Sequence, residues 1–140
     1  MESKKLNIPD GRVSFDVNGV AEIIFNPTDV SFIERLFLAF EAMDKRQAEY
    51  EGKIKNAQPR DIFDIARQAD RDIRELVDTA LGAEICDKCF PGVNIYAYAE
   101  GLPLWANLML AVLDECDAGT VAQRKLTNPR LEKYTSKYHK

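Results

Sequence analysis

Apolar and polar positions alternate early in this chain, and a helical period takes over from Asp29 onward. Val13, Phe15 and Val17 share one side of an extended run, with Ser14 and Asp16 on the other. A second run, about Val20 to Phe25, is less cleanly alternating. Between them stands Asn18-Gly19, the pair best able to adopt the two positive φ angles of a two-residue hairpin turn. The pattern predicts a β-hairpin with strands at about Arg12 to Val17 and Val20 to Phe25. A hairpin alone is marginal in water, so this one must pack on helices or pair with another strand. Its unpaired edges also offer backbone groups to a neighbouring subunit. Asn26-Pro27-Thr28-Asp29 then ends the second strand and supplies polar N-cap candidates for a helix.

Three longer helical patterns follow. Ile33, Leu36, Phe37, Phe40 and Met43 recur at the spacing of one helical face, with Leu38 almost opposite and Phe32 and Ala39 flanking. This first helix is apolar on more than one side and turns charged beyond Met43, with a connection finishing at Pro59. Ile62, Ile65, Ala66, Ala69, Ile73, Leu76, Val77 and Ala80 form the cleanest stripe, predicting a helix over about Asp61 to Leu81 with Gly82 as its C′ residue. Its other face carries Asp64, Arg67, Asp70, Arg71, Arg74, Glu75 and Asp78, whose spacing suits mutual support in solvent. Ala83 to Phe90 predicts a short helical piece stopped by Pro91-Gly92, and Val93 to Glu100 fits either a short helix or an extended segment. Pro103 opens a last helix whose run from Leu104 to Leu113 is apolar on almost every side. Such a helix is either the centre of the core or covered by a partner. The expected fold is mainly α: an N-terminal β-hairpin packed on a bundle of three to five helices, a helix-dominated α+β domain.

A chain of 140 residues with 46% hydrophobic and 30% charged content fits one domain able to bury its own core. Residues 1–11 read as a flexible N-terminal segment, 12–118 as the helical domain and 119–140 as a basic, flexible tail. Six Lys/Arg against the single acid Glu132 lie from Arg124 onward, which leaves 13 basic and 22 acidic residues in 1–123, a net of −9. An acidic body disfavours a nucleic-acid surface. The tail is read as solvated, with contact to phosphates or an acidic partner as the other reading. Met1 to Lys5 lead into a polar stretch, not an apolar one, and no apolar run approaches the roughly 20 residues that span a bilayer. Three cysteines, an odd number, suit a reducing compartment, so a cytosolic protein without membrane contact is expected.

Candidate chemistry is sparse. Cys86-Asp87-Lys88-Cys89 has the spacing of half a zinc site or of a redox couple, which makes Cys86 and Cys89 weak metal candidates. Only Cys116 and His139 remain as further ligands, at unhelpful spacing, and no βαβ setting surrounds the pair. Two cysteines at helical i, i+3 spacing are more readily explained as small apolar residues on a buried face. The sole histidine sits next to last in the tail, which disfavours histidine-dependent catalysis. Asp61/Asp64 and Asp70/Asp78 read as a cap and a solvated face, not as a carboxylate dyad. The seven glycines form no phosphate loop. No cofactor and no enzymatic activity are expected. The apolar excess on the first and last helices points instead to a groove for self-association or for an amphipathic client helix. Phe32, Leu38, Trp105 and Met109 are its candidate contacts, with core burial as the alternative for each.

The succession of a hairpin (FDVNG…EIIFNPTD), a Phe-rich helix (FIERLFLAFEAM), a charged amphipathic helix and a terminal LWANLMLAVLDE helix resembles a known family. It is similar to the tail assembly chaperones of long-tailed phages and prophages of Gram-positive bacteria, in particular their small, acidic, mainly helical members. The likeness spans about residues 12–118. It implies a homo-oligomer that coats the long helical tape measure protein in the host cytoplasm, gives way to tail tube protein subunits, and is absent from the mature virion. Two other classes stay open: a virion component such as a tail-completion or head–tail joining protein, and a small helical regulatory protein that binds one partner.

Overall fold

A computed structural model describes residues 1–126 and 129–138. Strands β1 (Val13–Val17) and β2 (Ala21–Phe25) lead into α1 (Val30–Asn56), a 3-10 turn at Pro59–Asp61 and α2 (Ile62–Leu81). A short α3 (Cys86–Cys89) and the small strands β3 (Tyr98–Ala99) and β4 (Leu102–Pro103) connect to α4 (Leu104–Lys125) and α5 (Arg130–Tyr138). The architecture is the helix-dominated α+β arrangement that the pattern predicts, with the hairpin packed on the helices.

Local chemistry accounts for the boundaries. Asn18 and Gly19 take φ of 52° and 72°, so β1 and β2 pair antiparallel with Phe15 opposite Ile23 and Val13 opposite Phe25. That register puts Phe15, Val17, Ile23 and Phe25 on the inner face, and Ser14, Asp16, Glu22 and Ile24 on the outer one. The chain then turns sharply because the Asn26 side-chain oxygen accepts from both the Thr28 amide (2.9 Å) and the Thr28 hydroxyl (2.8 Å). Asp29 caps α1 by accepting from the Ser31 amide at 3.0 Å. Gly82, at φ 69°, closes α2 in the left-handed conformation.

Helix α1 packs on α2 and α4, and the hairpin lies over their junction. Phe15 stacks on Phe25 (centroids 4.5 Å apart) and Phe25 on Phe32 (4.7 Å), joining the inner sheet face to the first turn of α1. Leu36, Met43, Ile73, Val77, Ile95, Trp105 and Met109 fill the centre. The first half of α4, Leu104 to Leu113, is apolar on almost every side and is covered from several directions, with only Ala111 exposed. Its Leu108 and Val112 meet the inner hairpin face around a cavity of about 220 Å³, while Trp105 meets Phe40 of α1 at 5.5 Å. The all-round apolar run is therefore a core helix.

Two boundaries differ from expectation. The helical body does not end at 118: α4 continues to Lys125, and Gly119 lies so close to Pro27 that an added Cβ would stand 2.6 Å from the proline Cβ. The basic segment, which its composition predicts to be unstructured, is itself helical over Arg130–Tyr138. Residues 93–100, ambiguous in sequence, form neither a helix nor a long strand. They turn at Asn94 and pair Tyr98–Ala99 with Leu102–Pro103 through Glu100 and Gly101, both at positive φ.

Candidate functional site

The four candidate contacts part company in the structure. Phe32 (6% exposed), Trp105 (2%) and Met109 (0%) are enclosed in the core, although Phe32 also lines an open pocket with Ile24, Phe25 and Arg35 beside the hairpin. Phe32 is held by the Phe25 ring on one side and by the Arg35 guanidinium, 5.3 Å from its centroid, on the other. The Trp105 indole N–H donates to the Gln47 side-chain oxygen at 2.9 Å, a contact across 58 residues that settles its polar handle inside the fold. Leu38 alone remains on the surface, at 59%. The expected groove between the first and last helices is thus corrected: those two helices use their facing sides on each other.

Beside Leu38 lie surface residues that the periodicity does not single out. Val30 (73%) and Phe37 (58%) are exposed with it along the outer side of α1, and Glu34 and Glu41 stand between them at three- and four-residue steps. This side points away from Leu36 and Met43, which are fully buried on the inner side. Phe37 therefore does not belong to the inner stripe with Leu36. A rotation of 100° per residue separates the two, and burial shows that the core takes Leu36. Phe63, at the start of α2, is also exposed. Exposed aromatic and aliphatic side chains at helical spacing, bordered by acids, have the character of an amphipathic protein-binding face.

The polar side of α2, expected to be solvated, instead fastens the segment 83–97. Arg74 is 13% exposed and donates to Asp70 (2.9 Å), Asp87 (2.9 Å) and the carbonyls of Phe90 (2.8 Å) and Val93. Asp70 accepts from the Ile95 amide, and Asp78 from the amides of Ile85 and Cys86. Asn94 donates to the Ala66 carbonyl. The Arg74–Asp70 pair is the i, i+4 support that the spacing predicts, whereas the bonds to residues 85–95 join α2 to a segment that no spacing rule reaches.

Cys86 is fully buried with its sulfur 3.9 Å from the Arg74 carbonyl, and burial followed by the nearby Asp78 carboxylate pushes its thiol far up. Burial raises the Cys89 and Cys116 thiols as well. All three cysteines are free, and no group of three or more His, Cys, Asp or Glu suited to a metal ion stands together among the described residues. His139 lies outside the described residues. A groove of about 450 Å³ between α1 and α2 is lined by Arg46, Glu49, Lys53, Asp64, Arg67 and Asp72 around the stacked rings of Tyr50 and Tyr96. Burial pushes the Tyr96 phenol up to about 12, so it stays a neutral hydroxyl at ordinary pH. No helix of the described residues is long and apolar enough to cross a membrane. No protein-family model, curated protein or solved structure matches the chain.

Proposed function

We propose that this protein is a non-enzymatic tail assembly chaperone of a long-tailed phage or prophage. In this reading it coats the tape measure protein in the host cytoplasm, hands it to tail tube subunits and is left out of the virion. The observation that carries the reading is the outward face of α1, where Val30, Phe37 and Leu38 stay in water although the fold has a well-filled core to offer. The resemblance of the hairpin and helix succession to that family supplies the client.

Magnitude shapes the mechanism. Burying a large apolar side chain fully is worth roughly 1.5–3 kcal/mol, so these three, each more than half exposed, give about 3–6 kcal/mol before association costs. A single site of that size holds a client weakly. Many copies along one long amphipathic helix bind it firmly through effective concentration, yet each releases readily when a tube subunit competes. Weak, repeated contact is what a coat that must later be displaced requires. The acidic body keeps such a coated assembly dispersed.

Co-expression with the tape-measure-like protein encoded nearby tests this. Soluble, multi-copy co-purification is expected. A client that stays insoluble beside abundant soluble partner refutes the reading.

A further inference from the structure

The groove between α1 and α2 holds more hydrogen-bond donors than the fold uses. Tyr96 is 6% exposed, yet its hydroxyl has no hydrogen-bond partner among the described residues. A hydroxyl taken out of bulk water is costly to leave unmet. No side-chain oxygen sealed from solvent lacks a partner among those residues, so this one opens into the groove of about 450 Å³ that its ring lines. Tyr50, stacked on it with centroids 4.3 Å apart, brings a second hydroxyl without a partner. Arg46 and Lys53 line the same groove, and neither forms an ion pair or a hydrogen bond within the described residues. The remaining cations of the lining are occupied along α2, Arg67 by Asp64 and Arg71 by Gln68. Gln68 also covers Asp72, which leaves Glu49 as the unpaired acid of the lining.

Two cations and two hydroxyls against one carboxylate suit an acceptor-rich guest. Of the charges that act on the Tyr96 phenol, that of Arg46 acts most strongly, so these two donors converge. The phenol keeps its proton at ordinary pH and can only give a hydrogen bond to an anion. Ile65, Ala69 and the Tyr50 ring supply apolar surface beside them, the mixture typical of a small-molecule pocket. We infer that this groove binds a small organic anion. Its flat apolar body lies on Ile65, Ala69 and the Tyr50 ring, and Arg46, Lys53 and the Tyr96 hydroxyl hold its carboxylate or phosphate. The site uses none of Val30, Phe37 and Leu38, so it stands apart from the chaperone reading and does not depend on it.

Titration of the 140-residue chain with benzoate, phenyl phosphate, inorganic phosphate and neutral benzamide, followed by amide NMR shifts, tests this. Benzoate and phenyl phosphate are expected to saturate one site with Kd of about 0.1–10 mM, moving the Ala69 and Tyr96 amides and not those of Phe37 and Leu38. The tighter of the two identifies the head group. Inorganic phosphate lacks the apolar body and benzamide the charge, so each should bind at least about tenfold more weakly. Arg46→Gln and Lys53→Gln change exposed side chains that pair with nothing in the free protein. Each should leave unfolding unaltered and weaken benzoate about fivefold. Tyr96→Phe removes only the unmet hydroxyl and should weaken it by about as much. Failure of both aromatic anions to saturate would overturn the proposal, as would benzamide binding as tightly as benzoate. So would an affinity that Arg46→Gln, Lys53→Gln and Tyr96→Phe all leave unchanged. Client co-purification is scored separately, so either idea can fail without the other.

Discussion

Arg74→Met removes a side chain with four hydrogen-bond partners while keeping its apolar stem. Its guanidinium reaches Asp70, Asp87 and the carbonyls of Phe90 and Val93. These arms are unequal. Asp87 is 90% exposed, so that pair contributes at most about 1 kcal/mol. Asp70 is only 18% exposed, and it and the two carbonyls lose a charged donor in a partly desolvated setting. Hydrogen bonds to charged groups are worth about 1.5–3 kcal/mol each and do not add, so the net loss should be about 3 kcal/mol. At roughly 2.1 cal/mol/K per residue, that lowers the midpoint of thermal unfolding by about 10 °C for a domain of this size. The loss should also be local, because Arg74 and Asp78 both hold the segment that carries Cys86 and Cys89. Thermal and urea unfolding followed by circular dichroism measure the first effect, and the rate of thiol labelling under native conditions the second. Arg74→Lys, able to serve one arm at a time, should fall between. A loss below about 1 kcal/mol, with cysteine labelling unchanged, would refute the assignment of Arg74 as the fastener of this loop.

Other outcomes follow from single contacts. Gly119→Ala would stabilise an ordinary helix by about 1 kcal/mol, but here the new methyl meets Pro27 at 2.6 Å and the variant should be less stable, as a thermal melt will show. Trp105→Phe leaves the Gln47 side-chain oxygen without its 2.9 Å donor, at a cost of about 1–3 kcal/mol in urea unfolding. Tyr96 holds its proton up to about 12 in the fold against 10 in the unfolded chain, so its contribution is complete below pH 10 and lost as pH rises toward 12. Replacing it by Phe should flatten the alkaline fall in stability. Cys86 and Cys116, both buried with raised thiols, should label only on unfolding, whereas Cys89 should label slowly in the native protein.

Features encoded by neighbouring residues are legible in the sequence. Asn18-Gly19 marks the hairpin, Asp29 the start of α1 and Gly82 the end of α2, because each requirement is met within a few positions. The α2 stripe is equally plain, since its burial follows its period. What periodicity does not carry is the identity of the partner. The apolar run of α4 shows that Trp105 and Met109 need cover, but not that α1 and the hairpin provide it from within the same chain. Phe37 and Leu36 are adjacent and both apolar, and only the packing direction of α1 decides which one faces water. Asp70, Arg74 and Asp78 read as a solvated face because, besides the Asp70–Arg74 pair itself, they also bind backbone groups 7 to 25 residues away. Phasing α1 on Phe32, Leu36 and Met43 is the signal that turns Val30, Phe37 and Leu38 outward.

The most direct test is the affinity of the 140-residue chain for the proposed tape-measure client, by calorimetry, with and without Phe37→Asp/Leu38→Asp. Because the two side chains are 58% and 59% exposed, the folded domain should be unaffected while client binding falls by at least about tenfold. An affinity unchanged by carboxylates at both positions would contradict the assignment of the outer α1 face as the binding surface.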